Sequence, residues 1–322
     1  MSDFQKILVG IDLLQAGQAG SAEFSPPVEE AIKQALWLAE RTSAAVTFFS
    51  AVEVPQDDRY EQQLDEGPLA RRIEHSGRRA LDQLVERAEA RGVRATCQLA
   101  RGEGWIELTR AVLRHGHDLV IVGTRNLGTV QRFLFGSTAM KLLHNCPCPV
   151  WVTRPEPHPT PANVLVASDF SAVSDEALRL ALHFGSLTAA RLHLLHAVDY
   201  PLDRLWSTGL LDTPTRAYHD QVRADAREAL EEQLGRVAAG APTDGVAIHV
   251  VEGLSIADTA ILEFVERNKI DLLMMGTMAR GGIPGVFIGN TAERLVTHVQ
   301  CSLLAVKPAD FECPIGLDIQ NR

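Results

Sequence analysis

The chain has 322 residues, is 46% hydrophobic and 22% charged, and carries a formal net charge of −10. That length and balance bound a pair of folded domains and exclude a disordered chain, while the negative charge excludes a general nucleic-acid binder, whose affinity comes from Lys and Arg on phosphates. No apolar run approaches the ~20 residues that span a bilayer, the N-terminal Met1-Ser2-Asp3-Phe4-Gln5-Lys6 lacks a signal-peptide layout, and five cysteines without framework spacing fit reduced thiols in a cytoplasm.

Lys6-Ile7-Leu8-Val9-Gly10-Ile11-Asp12 is a short apolar run ending in an acid, the pattern of a buried parallel strand. Ile32, Ala35, Leu36 and Ala39 then fall at helical spacing, and Phe48 to Pro55 reads as a second strand. A long helix is expected over about Leu69 to Arg91, a third strand ending near Gly102, and a helix over Ile106 to Arg114. Asp118-Leu119-Val120-Ile121-Val122-Gly123-Thr124 follows as a strand ending in glycine. Gly136 opens an apolar helical segment, and Pro149-Val150-Trp151-Val152 is a fifth strand.

The same order then recurs. Val164 to Asp169 repeats the first strand, Leu178, Ala181, Leu182 and Gly185 the first helix, and Leu194 to Pro201 the second strand. Helices over Pro214 to Ala238 and Ala257 to Arg267 flank a strand ending near Gly253. Asp271-Leu272-Leu273-Met274-Met275-Gly276-Thr277 echoes the glycine-ended strand 153 positions on, with Gly289 in the place of Gly136 and Ser302 to Val306 as the last strand. Copy one carries 11 extra residues between Asp12 and its first helix, within Leu13 to Val28, read as a loop at the strand's C-terminal end. Alternating strands and helices imply two α/β domains with parallel sheets. The expected boundaries are 1–154 and 163–308, joined by the proline-rich linker 155–162 and followed by a tail, 309–322.

A strand, a glycine loop and a helix start present backbone N–H groups to a phosphate. With these residues in view, the chain resembles the universal stress protein family over nearly its whole length, as a tandem. Lys307 to Pro314 and Gly289-Asn290-Thr291-Ala292-Glu293 are similar to its E-type tandem members. The resemblance implies two doubly wound, Rossmann-like domains of five parallel strands, meeting through their fifth strands as a pseudo-dimer within one chain, with further homodimerisation left open. It also implies a mostly non-enzymatic stress-response role.

ATP-binding members of that family carry Gly, two residues, Gly, nine residues, then Gly with Ser, Thr or Asn. Copy one offers Gly123, Asn126, Gly136 and Ser137; copy two offers Gly276, Ala279, Gly289 and Asn290, so the middle glycine is absent from both. Asn126 reaches φ > 0 at modest strain, Ala279 at roughly 1 kcal/mol or more. Arg125, beside this position, is a candidate phosphate partner, where copy two has Met278. Asp12 and Asp169 stand where family members contact adenosine. The implied ligand is ATP, with Mg²⁺, favoured in copy one. Purely structural roles stay open: Gly123 and Gly276 as strand-end turns, Ser137 and the Asn290/Glu293 pair as helix caps.

His144, Cys146 and Cys148 read as a strand edge with buried thiols rather than a metal site. His115 and His117 do not share a helical face, and His193 and His196 point to opposite faces of a strand. There is no P-loop and no nucleophile elbow. Arg71, Arg72, Arg78 and Arg79 form a basic patch read as a solvated helix face. The expected function is a cytoplasmic stress-response binding or signalling module with a small-molecule ligand and an unidentified protein partner, and no nucleic acid or membrane. A scaffold with empty or apolar-ligand clefts, and a slow ATPase, remain the alternatives.

Overall fold

The computed structural model describes residues 4–13, 24–52, 68–125, 135–155, 160–200, 202–203, 216–240, 243–252, 257–277 and 290–317, with the backbone alone at 68–70 and 290. The chain divides into two compact units, one holding the first five strands together with the segment from Asp310, the other running from Pro161 to Ala309.

Unit 1 contains β1 (Lys6–Gly10), α1 (Pro26–Thr42), β2 (Ala45–Val52), α2 (Pro68–Glu89), β3 (Ala95–Arg101), α3 (Gly104–His115), β4 (Leu119–Gly123), α4 (Ser137–Asn145) and β5 (Val150–Thr153). Unit 2 repeats the series as β6 (Asn163–Ala167), α5 (Ala172–Leu187), β7 (Arg191–Val198), α6 (Arg216–Ala238), β8 (Val246–Glu252), α7 (Ala257–Arg267), β9 (Leu272–Gly276), α8 (Asn290–His298) and β10 (Ser302–Val306). The strand order is β3-β2-β1-β4-β5 in unit 1 and β8-β7-β6-β9-β10 in unit 2. All these pairings are parallel. Each unit is therefore the doubly wound α/β domain implied by the alternating pattern.

The central strands are apolar on both faces because helices cover both: Ile7, Leu8, Val9, Leu119, Val120 and Ile121 are fully buried. Pro26 and Pro27, read from sequence as part of an inserted loop, occupy the first turn of α1 instead. Proline is at home there because the first helical N–H has no partner to lose. The rest of that insertion, residues 14–23, lies outside the described residues.

Two details show how closely the copies match. Asp118, at the entry to β4, accepts the backbone N–H of Gln5 (2.7 Å) and Lys6 (3.1 Å), tying the start of β1 to β4. Asp271 does the same for unit 2, accepting from Ala162 (2.7 Å) and Asn163 (2.8 Å). Arg87 of α2 pairs with Glu29 of α1 (2.9 Å), and Arg236 of α6 with Asp175 of α5 (2.9 Å). Beneath that pair the units diverge. Unit 1 buries Ile11, Val28 and Leu84. Unit 2 has Ser168, Ser174 and Gln233, and satisfies them with one another: Ser168 Oγ donates to Gln233 Oε1 (2.7 Å), and Gln233 Nε2 donates to Ser174 Oγ (3.1 Å) and Asp175 Oδ1 (2.7 Å).

The C-terminal segment packs on unit 1, where Cys313 Sγ donates to the Asn145 carbonyl (3.3 Å) and Arg110 Nε to that of Gly316 (3.5 Å). Gly116, at φ 63°, ends α3 and swings His117 back beside His115, their ring centroids 5.9 Å apart. Helical spacing did not anticipate that contact, because the helix stops between the two histidines.

In unit 2, His193 Nδ1 and His249 Nε2 are 3.0 Å apart on β7 and β8, and both rings pack on Phe264 of α7. Burial holds both imidazoles below their usual value; for His193 the neighbouring His249 and Arg191 add to this, and for His249 Arg227 does. The unfolded chain then binds protons more readily than the folded one. The stability of this contact is full above about pH 6.5 and is lost as pH falls through the lowered folded values.

Two outcomes are expected. Asp118→Ala and Asp271→Ala each leave two backbone donors unpaired and lower the unfolding free energy by about 1–3 kcal/mol, read from urea midpoints at unchanged slope. Acidification from pH 7.5 to 5.5 lowers the melting temperature, and the drop is smaller in a His193→Gln His249→Gln variant.

Candidate functional site

In the order β3-β2-β1-β4-β5 the chain leaves β1 towards one side of the sheet and β4 towards the other. The gap at their C-terminal ends is the topological switch point, where doubly wound domains hold ligands. Three segments of unit 1 meet there: Gly10-Ile11-Asp12 after β1, Gly123-Thr124-Arg125 after β4, and the start of α4. They line a cleft of about 860 Å³. Asp12, Gly123, Arg125, Gly136 and Ser137, singled out on sequence, all line it. Asn126 lies outside the described residues.

The start of α4 supplies the donors. Gly136 is the N-cap, in extended conformation (φ −67°, ψ 163°), and its side-chain-free position leaves the cap without a side-chain acceptor. Ser137, considered above as a cap, is the first helical residue. Met140 N–H closes the first turn on the Gly136 carbonyl (3.0 Å). The N–H groups of Ser137, Thr138 and Ala139 therefore have no partner within the helix, and all three residues line the cleft. That is the arrangement in which a helix N-terminus takes an anion.

Gly123 has a different task from the strand-end turn considered for it. It does not have positive φ. A Cβ on it would lie 2.4 Å from the carbonyl oxygen of Pro27, so glycine lets the first turn of α1 press onto the end of β4. A Cβ on Gly276 would meet Val173, at the position equivalent to Pro27, at 2.9 Å. Gly136 is roomier: a Cβ there stands 3.4 Å from Arg125 Cβ.

The floor of the cleft is apolar, with Ile11, Val28, Phe49 and Leu108, and buried Ser50 adds a hydroxyl. One wall is α2, which contributes Arg72, Ser76 and Gly77. Sequence reasoning placed Arg72 on a solvated patch. The usable signal was the spacing of Arg72, Ser76, Gly77 and Ala80, which puts them on one helical face. Among the described residues, the ionisable ones lining the cleft are Asp12, Arg72 and Arg125, two cations to one anion in a chain of net charge −10.

Unit 2 builds the corresponding strand ends differently. Asp169 Oδ1 accepts from both the backbone N–H (3.0 Å) and the hydroxyl (2.5 Å) of Ser171. Ser171 in turn caps α5 by accepting from Ser174 N–H (3.2 Å). Phe170 between them holds a left-handed φ of 64°, a strained state for a residue with a Cβ. Its ring lies 4.3 Å from that of His196, whose Nδ1 donates to the Ser168 carbonyl (2.8 Å). The unit 1 counterparts of Phe170 and His196, Leu13 and Ser50, line the cleft instead. Of the other unit 2 candidates, Gly276 ends β9, Asn290 is the first helical residue of α8 rather than its cap, and Gly289 and Ala279 lie outside the described residues.

Cys146 and Cys148 are buried with sulfurs 3.6 Å apart at the entry to β5. Among the described residues, no three or more His, Cys, Asp or Glu side chains are grouped so as to hold a metal ion. No helix among them is long and apolar enough to cross a membrane.

The family model described as "Universal stress protein family" matches residues 3–154 and 162–307. Universal stress protein E of Escherichia coli K12 is 27% identical over 223 residues, covering 66% of this chain and 67% of that protein. The protein of that name from Photorhabdus laumondii is 25% identical over 331 residues, covering 98% of each. Among solved structures, a universal stress protein from Archaeoglobus fulgidus superposes with a TM-score of 0.64 at 18% identity, covering 94% of this chain and 98% of that one.

The two outer glycines of copy one should respond differently to a methyl group. Gly123→Ala forces the Pro27 carbonyl away and costs about 1–3 kcal/mol of stability, as overpacking does. Gly136→Ala, with ordinary backbone angles and room for a Cβ, leaves the denaturation midpoint nearly unchanged.

Proposed function

Since the chain belongs to the universal stress protein family, we propose that it is a non-catalytic, ligand-responsive module whose unit 1 cleft binds ATP or a closely related adenine nucleotide. The observation that carries this reading is the meeting of Arg125, Asp12 and the N-terminal N–H groups of α4, which have no partner within the helix, around one cleft. A phosphate would sit against the α4 N-terminus and Arg125, which match it in charge and in hydrogen-bond donors. Asp12 is placed to accept from ribose hydroxyls, and the apolar floor at Val28, Phe49 and Leu108 suits a flat base. Mg²⁺ would arrive with the nucleotide.

For unit 2 the scaffold reading is better supported. Asp169 is committed to the Ser171 turn, and the Phe170–His196 pair stands where unit 1 keeps cleft-lining residues. None of the five cysteines is in a disulfide, which suits a cytoplasmic setting.

Calorimetry with ATP and Mg²⁺ tests the proposal. Saturable binding is expected for the wild-type chain, weakened at least tenfold by Gly136→Trp, whose side chain fills the cleft while circular dichroism reports an unchanged fold. Absence of binding at millimolar ATP, or equal binding by the variant, overturns it.

A further inference from the structure

Arg72 and Arg125 approach the cleft from different elements, α2 and the end of β4. Among the described residues neither takes part in an ion pair, whereas Arg78 pairs with Asp82, Arg87 with Glu29, Arg91 with Glu40 and Arg101 with Glu74. Two guanidinium groups and the single carboxylate of Asp12 are thus the ionisable groups that the described residues bring to one cleft, in a chain of net charge −10.

The second copy provides an internal control. The run Ala80-Leu81 of α2 recurs as Ala229-Leu230 in α6, which places Gln221 at the position of Arg72 and Asp225 at that of Ser76. Gln221 Nε2 donates to Asp225 Oδ1 (2.6 Å). Ala226, at the position of Gly77, is buried against Val198 and Tyr200. Unit 2 thus exchanges a cation and a hydroxyl for an amide and a carboxylate, and a cleft-lining glycine for a packed alanine. It also carries Met278 where copy one has Arg125. Both arginines belong to unit 1, whose cleft they line.

We infer that Arg72 is a ligand contact: it takes a second anionic group of the bound molecule, so that the cleft selects nucleoside di- and triphosphates over the monophosphate and the free nucleoside. This rests on the nucleotide reading of the cleft. The phosphate nearest the ribose is held by the α4 N-terminus and Arg125, and the chain of phosphates runs on to the α2 wall. There the planar guanidinium of Arg72 can donate two parallel hydrogen bonds to phosphate oxygens, and Ser76, one turn further along the same face, adds a hydroxyl. Ser76 and Gly77 keep this wall uncharged and low, where Asp225 would repel an anion and a larger residue at 77 would press on Leu13, whose Cδ1 lies 3.0 Å from a Cβ built there.

The test compares ATP, ADP, AMP and adenosine by calorimetry on the full chain for wild type, Arg72→Ala and Arg72→Lys. Arg72→Ala is expected to weaken ATP at least tenfold, a change of the size expected for losing a charge-assisted contact, while AMP and adenosine shift by less than about twofold. Arg72→Lys recovers only part of the ATP affinity, because an ammonium group keeps the charge but not the fork. An exposed Arg72 makes its removal nearly neutral for folding, checked by the melting temperature. Unchanged ATP affinity in Arg72→Ala, or an equal loss for ATP and adenosine, overturns the inference while the cleft reading stands. A wild-type chain that binds none of the four ligands overturns the cleft reading and this inference with it.

Discussion

The first turn of α1 rests directly on the end of β4, and the contact is so close that no side chain fits between them. The Pro27 carbonyl oxygen occupies the space that a Cβ on Gly123 would need. This contact fixes where the helix leaving β1 lies relative to the end of β4. It thereby sets the geometry of the switch point where Asp12, Arg125 and the α4 N-terminus meet. Gly276 and Val173 repeat the contact in unit 2. The glycine at the end of the fourth strand is thus first a packing requirement of the fold, and only through that a requirement of the site.

Duplication preserved this frame and released the chemistry inside it. The carboxylates of Asp118 and Asp271 that staple the strand starts, and the Arg87–Glu29 and Arg236–Asp175 pairs that join the helices, recur at matching positions. Between them, an apolar Ile11, Val28 and Leu84 in one copy became a hydrogen-bonded Ser168, Ser174 and Gln233 in the other. Either set can occupy the same positions of the frame, provided that every buried polar atom finds a partner. The outer ion pairs are largely exposed, so their value is in orientation more than in stability.

Charge is distributed in the same selective manner. The chain as a whole is acidic, yet unit 1 brings to one cleft two arginines that have no ion pair among the described residues, and unit 2 places a glutamine and a carboxylate at the α2-equivalent wall. These side chains differ although the sheets, strand order and register of the two copies are alike.

The sequence by itself determined the α/β class, the duplication and nearly every element. Apolar runs ending in an acid or a glycine mark buried parallel strands, and helical spacing marks the covers; both are local patterns that need no tertiary information. It also named Asp12, Gly123, Arg125, Gly136 and Ser137, which do converge on one cleft. Three things were decided only in three dimensions. Pro26 and Pro27 begin a helix, because proline suits a loop and a first helical turn equally well. Asp12 and Asp169, alike on paper, differ because Ser171 lies within reach of one carboxylate and fixes it in a turn. Arg72, far from every glycine loop in the chain, reaches the cleft because α2 packs beside β2 and turns that face inward. Periodicity can show which residues of a helix share a side, but what that side faces depends on how the sheet and its neighbours pack.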